Sequence, residues 1–305
     1  MKDLNTTAEI KGAAHQDLKH DSAIKQVQGR ADYTDDIAEP VGTLHAYLGV
    51  STVAHANIRG MDLSRVRSAP GVVDVLTADD IPGLNRFGVI PAFVDQPVFA
   101  ETEARFKGEA IAAVIGTAEA LSAMSEFPVV WQELPSNLTP DGAASAALLH
   151  DDRADNVMCR GYVARGDAAA GLKTAAHVVA GDFSTGFIEH GYIEPEAAWA
   201  QRVADRLELQ CCTQAPYMNR EAIARILGLP EDDVRVVPTA TGGGFGSKLD
   251  LSAQPFVALA AWKLGRPVRL AYTRTESLMS TTKRHPSEIH MEIGADETGQ
   301  IVAAR

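Results

Sequence analysis

The chain has 305 residues, 46% of them hydrophobic, and a formal net charge of -12. That length suffices for two domains of ordinary size, each with a buried core, while the negative charge repels a phosphate backbone or an anionic membrane surface and so argues against nucleic acid as a partner. Cys159, Cys211 and Cys212 are one thiol short of the four that an iron–sulfur cluster normally takes, and their odd number suits reduced, core-packed thiols better than a disulfide framework. No stretch reads as a signal peptide or a membrane span, so a cytoplasmic protein is expected.

Residues 1–28 are polar and without a clear period, and are expected to form an extended lead-in arm. Leu44, Ala46, Leu48 and Val50 alternate with other types, the pattern of a strand with one buried face. Asp62 offers a cap for a short helix that must stop at Pro70-Gly71. Strands are predicted at 72–76, 110–115 and 129–132, with a helix capped by Thr117 running from Ala118 to Met124. Alternation of strands and short helices over 29–135 predicts a small mixed α/β domain.

Residues 136–167, rich in Ala, Asp, Asn and Gly, read as a linker, and 168–305 as a second domain. Leu207, Leu209 and Cys211 alternate as a strand, and Pro216 opens a helix with Met218, Ala222, Ile223, Ile226 and Leu227 on one face, ended by Gly228 and Pro230. A strand at 234–237 leads into the glycine loop Gly242-Gly243-Gly244-Phe245-Gly246. Residues 255–264 are apolar almost all round, which predicts a buried helix, and 301–304 read as a strand entered after a turn at 296–299.

Glycines packed between a strand and a helix mark a place where something approaches the backbone closely, or a tightly packed turn. A phosphate-cradling loop needs glycine immediately before its lysine, but Ser247 precedes Lys248, and the dinucleotide pattern GxGxxG fails at the same serine. A nucleotide-binding reading is therefore disfavoured. His190 and Glu194 stand four apart, yet no third ligand accompanies them and Pro195 opposes a helix there, so they read as structural polar residues rather than metal ligands. Lys248, alone after a loop, reads as solvated or as half of a structural salt bridge.

Thr213-Gln214, the phrase Thr241-Gly242-Gly243-Gly244-Phe245-Gly246-Ser247-Lys248, and Gly265-Arg266-Pro267-Val268 follow one another in an order and spacing that resemble the molybdenum-binding subunit of the xanthine dehydrogenase and aldehyde oxidase family. The resemblance extends upstream. Gly29-Arg30-Ala31-Asp32-Tyr33-Thr34-Asp35-Asp36, His55-Ala56, Pro70-Gly71-Val72 and Asp80-Ile81-Pro82-Gly83 look like the family's hammerhead domain. Glu189-His190-Gly191-Tyr192-Ile193-Glu194-Pro195 and Arg284-His285-Pro286 match landmarks of its cofactor domain, and His20-Asp21-Ser22-Ala23 is closest to the separate large subunits of bacterial xanthine dehydrogenases. The implied fold is α+β, a small α/β hammerhead domain followed by the first part of a mixed α/β molybdopterin-binding domain.

What the resemblance implies for function is hydroxylation of an aldehyde or N-heterocycle at a molybdenum cofactor, as molybdopterin or its dinucleotide form, with water as oxygen source. Electrons would pass to 2Fe–2S and FAD centres on partner chains, an iron–sulfur subunit and an FAD subunit. Gln214 would donate its side-chain amide to an oxo ligand, a role for a donor without charge. Phe245 and Gly246 would present backbone amides, with Gly243 and Gly244 allowing close approach. Two departures stand out. Where purine-oxidising members carry a substrate-binding glutamate after the loop lysine, this chain has Leu249, which makes no hydrogen bond through its side chain and turns the expected substrate toward an aldehyde or a less polar heterocycle. The family's later motifs, including its catalytic glutamate, fall beyond Arg305, so no residue takes the general-base role. Either another polypeptide completes the molybdopterin domain, or the chain is a truncated, non-catalytic remnant or scaffold.

Overall fold

A computed structural model describes residues 17–20, 22–118 and 127–305. Beyond Ala118, the helix expected after Thr117 lies outside the described residues. Among the described residues thirteen strands run in chain order as β1 (Leu44–Val50), β2 (Ala56–Met61), β3 (Val72–Leu76), β4 (Glu103–Ala104), β5 (Ala110–Gly116), β6 (Val129–Glu133), β7 (His177–Thr185), β8 (Ala197–Val203), β9 (Arg206–Cys211), β10 (Val234–Pro238), β11 (Val268–Ala271), β12 (Ser287–Ala295) and β13 (Ile301–Ala304).

They assemble into a seven-stranded sheet of order β10-β9-β8-β11-β1-β5-β3 and two three-stranded sheets, β13-β12-β7 and β4-β2-β6. The large sheet takes strands from both sides of the 136–167 segment, joined where β1 lies parallel to β11 with Leu44 opposite Val268. The alternation in β1 and β9 becomes alternate burial, with Leu44, Leu207, Leu209 and Cys211 inside. β5 is apolar throughout and is buried from Ile111 to Gly116, as befits a strand covered on both faces.

β9 and β10 are parallel neighbours, and parallel strands require a crossover, here the helix Pro216–Leu227. Pro216 occupies its first turn, where a missing N–H is harmless. Gly228, at φ 64°, ends it in the left-handed region that a side chain disfavours. The expected apolar face is buried at Ile223, Ile226 and Leu227, but Met218 is exposed and Asn219 is buried in its place, because the first turn faces the segment after the glycine loop. The second helix, Gln254–Leu264, is buried from Gln254 to Ala261 and packs on β8, β9 and β11.

Three local expectations change. The described part of the arm before Gly29 carries an exposed helical stretch, Ala23–Val27, where extended chain is expected. Asp62 accepts the Ser64 N–H at 3.0 Å, one residue before the N-cap of the helix Ser64–Arg67. The segment 136–167 carries a short helix, Pro140–Ala143, and is tied to the amino-terminal strands' loops by an Arg153–Asp95 ion pair and by the Arg105 Nε bond to the Leu149 carbonyl.

Candidate functional site

Because β9 and β10 are parallel, the segments leaving their carboxyl ends emerge along one edge of the sheet, the usual place for a ligand crevice in such sheets. Thr213-Gln214 leaves β9 there, and residues 241–248 follow β10. The Thr239 N–H donates to the Cys211 carbonyl at 3.3 Å and starts the two segments side by side. Gln214 is then fastened to the loop at two points. Its backbone N–H donates to the Lys248 carbonyl at 2.9 Å, and its Oε1 accepts the Gly246 N–H at 3.0 Å.

The second bond fixes the direction of the side-chain amide. With the oxygen engaged by Gly246, the donor Nε2 of the exposed Gln214 side chain has no partner among the described residues. Contact is close: a Cβ on Gly244 would lie 2.4 Å from Gln214 Oε1, so a side chain there has to push the amide aside. Gly246 has φ 95° and open space around it, so its requirement is conformational rather than steric. Phe245 takes φ 50° and is 71% exposed, its ring lying against Gly243. The Gly246 amide is engaged by Gln214, whereas the N–H groups of Gly243, Gly244 and Phe245 have no acceptor among the described residues.

Below the loop several charged side chains are buried. Lys248 and Glu194 are both buried, with Nζ 2.9 Å from Glu194 Oε2 and 4.5 Å from the centre of the Tyr192 ring. The Lys248 ammonium is thus turned inward, half of a structural pair and not solvated, and does not serve as a phosphate ligand on the open face. Residues 189–195 form no helix, and Glu194 is committed to Lys248 rather than to His190. The Tyr192 hydroxyl donates to Glu196, whose carboxyl is raised above its usual range by burial. Burial also pushes the Cys212 thiol up to about 11 and that of Cys211 higher still, so both stay protonated and inert. Among the described residues no three His, Cys, Asp or Glu side chains converge as metal ligands.

Leu249, partly exposed, borders a cavity of about 130 Å³ with Val89, Pro91, Val94, Met218 and Asp250. Burial raises the Asp250 carboxyl. A larger cavity of about 660 Å³, lined by Phe87, Phe106, Phe187, Leu278 and Met279, meets the loop at Ser247 and also reaches Asp250. Sequence reasoning brings Gln214 and the glycine loop together but misses the Glu194–Lys248 pair and Asp250. For the pair the available signal is that Lys248 follows an apolar-flanked glycine turn; nothing in the spacing points to Glu194, 54 residues upstream.

A glutamine amide is thus held against a glycine-rich backbone turn at the end of parallel strands. Comparison with known proteins identifies the family to which these segments belong. Residues 149–305 match the molybdopterin cofactor-binding domain, and residues 28–135 match the aldehyde oxidase and xanthine dehydrogenase a/b hammerhead domain. The chain belongs to the aldehyde oxidase and xanthine dehydrogenase family of molybdenum hydroxylases, with an α+β fold.

Among its relatives, a probable xanthine dehydrogenase subunit of Bacillus subtilis (strain 168) is 35% identical across 91% of this chain and 37% of its own length. The nicotinate dehydrogenase large molybdopterin subunit of Eubacterium barkeri is 34% identical across 94% of this chain and 68% of its own. The aldehyde oxidoreductase from Desulfovibrio gigas superposes with a TM-score of 0.84 at 30% identity, covering 93% of this chain and 33% of that one. The chain therefore spans about a third of the first of these relatives and of that solved structure, and about two thirds of the nicotinate dehydrogenase subunit.

Proposed function

We propose that this chain forms part of the molybdenum-cofactor-binding subunit of an oxidoreductase that hydroxylates an aldehyde or N-heterocycle with oxygen from water and passes electrons to iron–sulfur and flavin centres on partner chains. The observation that carries this reading is the Gly246–Gln214 hydrogen bond, which leaves Gln214 Nε2 as an exposed, uncharged donor beside the glycine turn. A molybdenum cofactor fits such a place. Its oxygen ligands take hydrogen bonds from neutral donors, and the Gly243, Gly244 and Phe245 amides lie in the same turn with no acceptor of their own among the described residues.

When bound, the cofactor supplies the redox chemistry and the oxygen delivered to carbon. Gln214 would hold it by its Nε2 donor, and Gly243, Gly244, Phe245 and Gly246 would form the backbone face against which it rests. Preorganised donors of this kind stabilise charge without reorganising during the reaction. Leu249 would border the substrate; lacking any hydrogen-bonding group, it favours an aldehyde or weakly polar ring over a purine. None of the chain's residues is assigned the general base. The non-catalytic alternative makes the same cofactor contacts without turnover.

Co-expression with the iron–sulfur and flavin subunits and with a polypeptide supplying the rest of the cofactor-binding subunit, followed by metal analysis, tests the assignment. One molybdenum per chain and labelled product from ¹⁸O-water are expected; a complex without molybdenum overturns the reading, and bound molybdenum without turnover on any aldehyde or heterocycle favours the scaffold. Leu249→Glu is expected to shift kcat/KM toward purines by at least about tenfold, the scale of one buried hydrogen-bonding contact.

A further inference from the structure

Glu194 lies in the segment between β7 and β8, and Lys248 at the end of the glycine loop; side chains of both are 2% exposed. Four contacts meet at Glu194. Its Oε2 accepts Lys248 Nζ at 2.9 Å and the Gly242 N–H at 2.8 Å, its carbonyl accepts Lys248 Nζ at 2.8 Å, and its own N–H donates to the Gly242 carbonyl at 3.3 Å. The Lys248 carbonyl in turn accepts the Gln214 N–H at 2.9 Å and the Thr213 hydroxyl at 3.4 Å. The first glycine of the loop, its last residue and the glutamine beside it are thus fastened to a single ion pair.

Burying two charges costs desolvation, and an apolar pair of similar volume is often as stable or more so. Stability alone is therefore a poor reason for this arrangement, whereas geometry is a good one: removing either partner frees one end of the loop from the other. We propose that Lys248 and Glu194 are positioning residues, a clamp that sets the register of residues 242–248 against Gln214 and so aims the free Nε2 donor and the loop amides. The inference rests on the cofactor reading above. Neither residue touches the open face; both act through the backbone they hold.

The test joins amide hydrogen exchange to molybdenum retention. In the wild-type chain the Gly242 and Gln214 amides are expected to be protected by about a hundredfold or more despite lying in loops, and exchange at the rate of open turns overturns the clamp. Lys248→Met is expected to lower stability and deprotect the loop, which a structural role also predicts. The deciding variant is Glu194→Leu with Lys248→Met, which removes both buried charges. The clamp predicts that its urea midpoint rises above that of Lys248→Met while its loop amides still exchange about tenfold or more faster than wild type and its complex loses molybdenum correspondingly faster on dialysis. Wild-type exchange and retention in the double variant would show the pair to be structural only. Should the double variant not fold, protection in the wild-type chain decides alone. If the wild-type complex holds no molybdenum, the cofactor reading falls, and the exchange arm still judges the clamp.

Discussion

The seven-stranded and the β13-β12-β7 sheets each present an apolar face, and the two faces end in opposite environments. In β5 the residues from Ile111 to Ile115 are shielded on both faces. In the smaller sheet the register sets Val179 opposite Ile293 and Phe183 opposite Ile289, which puts these four and Met291 on one face, with Val179 72% and Phe183 59% exposed. Alternation therefore specifies that a strand has an apolar face, but the covering layer decides whether that face is buried. The segment 186–196, carrying Tyr192, Glu194 and Glu196, joins the two sheets, so the candidate site is anchored at the border between covered and uncovered structure.

The sharpest way to break this comparison is to truncate one side chain on each sheet. Leu209→Ala empties part of the packed core and is expected to cost about 2–5 kcal/mol. Phe183→Ser removes a larger side chain from an open face and is expected to change stability by no more than about 0.5 kcal/mol. Urea unfolding midpoints measure both. A Phe183 effect as large as that of Leu209 would mean that its face is covered in solution.

The second test contrasts two glycines in the loop at the border. Gly244→Ala places a methyl against the Gln214 amide and is expected to cost about 1–3 kcal/mol as an overpacked site, and to displace the donor so that molybdenum is lost from the complex. Gly246→Ala meets open space and suffers only its left-handed φ, about 1 kcal/mol. Unfolding midpoints and metal content should rank wild type, Gly246→Ala and Gly244→Ala in that order. Equal metal loss in both variants would argue that backbone conformation, rather than contact with Gln214, governs binding.

Elements with local signals are legible in the sequence. Pro216 and Gly228 delimit the crossover helix, and the unbroken apolar run marks the buried Gln254–Leu264 helix. Gln214 and residues 242–246 read as one site through the order and spacing of motifs that resemble the family, and the structure sets them after neighbouring parallel strands. What escapes is set by partners distant in sequence. β7 and β12 carry apolar and charged residues in patterns that local periodicity does not resolve, and only their mutual pairing defines them. The parallel join of β1 to β11 connects residues more than two hundred positions apart, so nothing in either strand announces that the large sheet crosses the 136–167 segment. Glu194 invites comparison with His190 because they are close in sequence, whereas its partner is Lys248.

The last contrast concerns Glu196, on the covered side of the border, where the effect appears only as pH rises. Its carboxyl is raised chiefly by burial, with Glu189 acting in the same direction and Lys248 against it, and its Oε2 finds no hydrogen bond among the described residues. Below the ordinary value of 4.5 the group is protonated in both folded and unfolded chains and adds no pH dependence. Above it the unfolded chain releases a proton that the folded chain still holds, so stability falls with rising pH until the folded carboxyl also ionises, at up to about 1.4 kcal/mol per pH unit. Glu196→Gln keeps an acceptor for the Tyr192 hydroxyl and has no proton to lose. The stability of Glu196→Gln relative to wild type should therefore be level below pH 4.5 and climb above it, as read from urea midpoints between pH 4 and 8. A level difference across the whole range would mean that Glu196 ionises as freely in the fold as in the open chain, and that burial does not set its protonation.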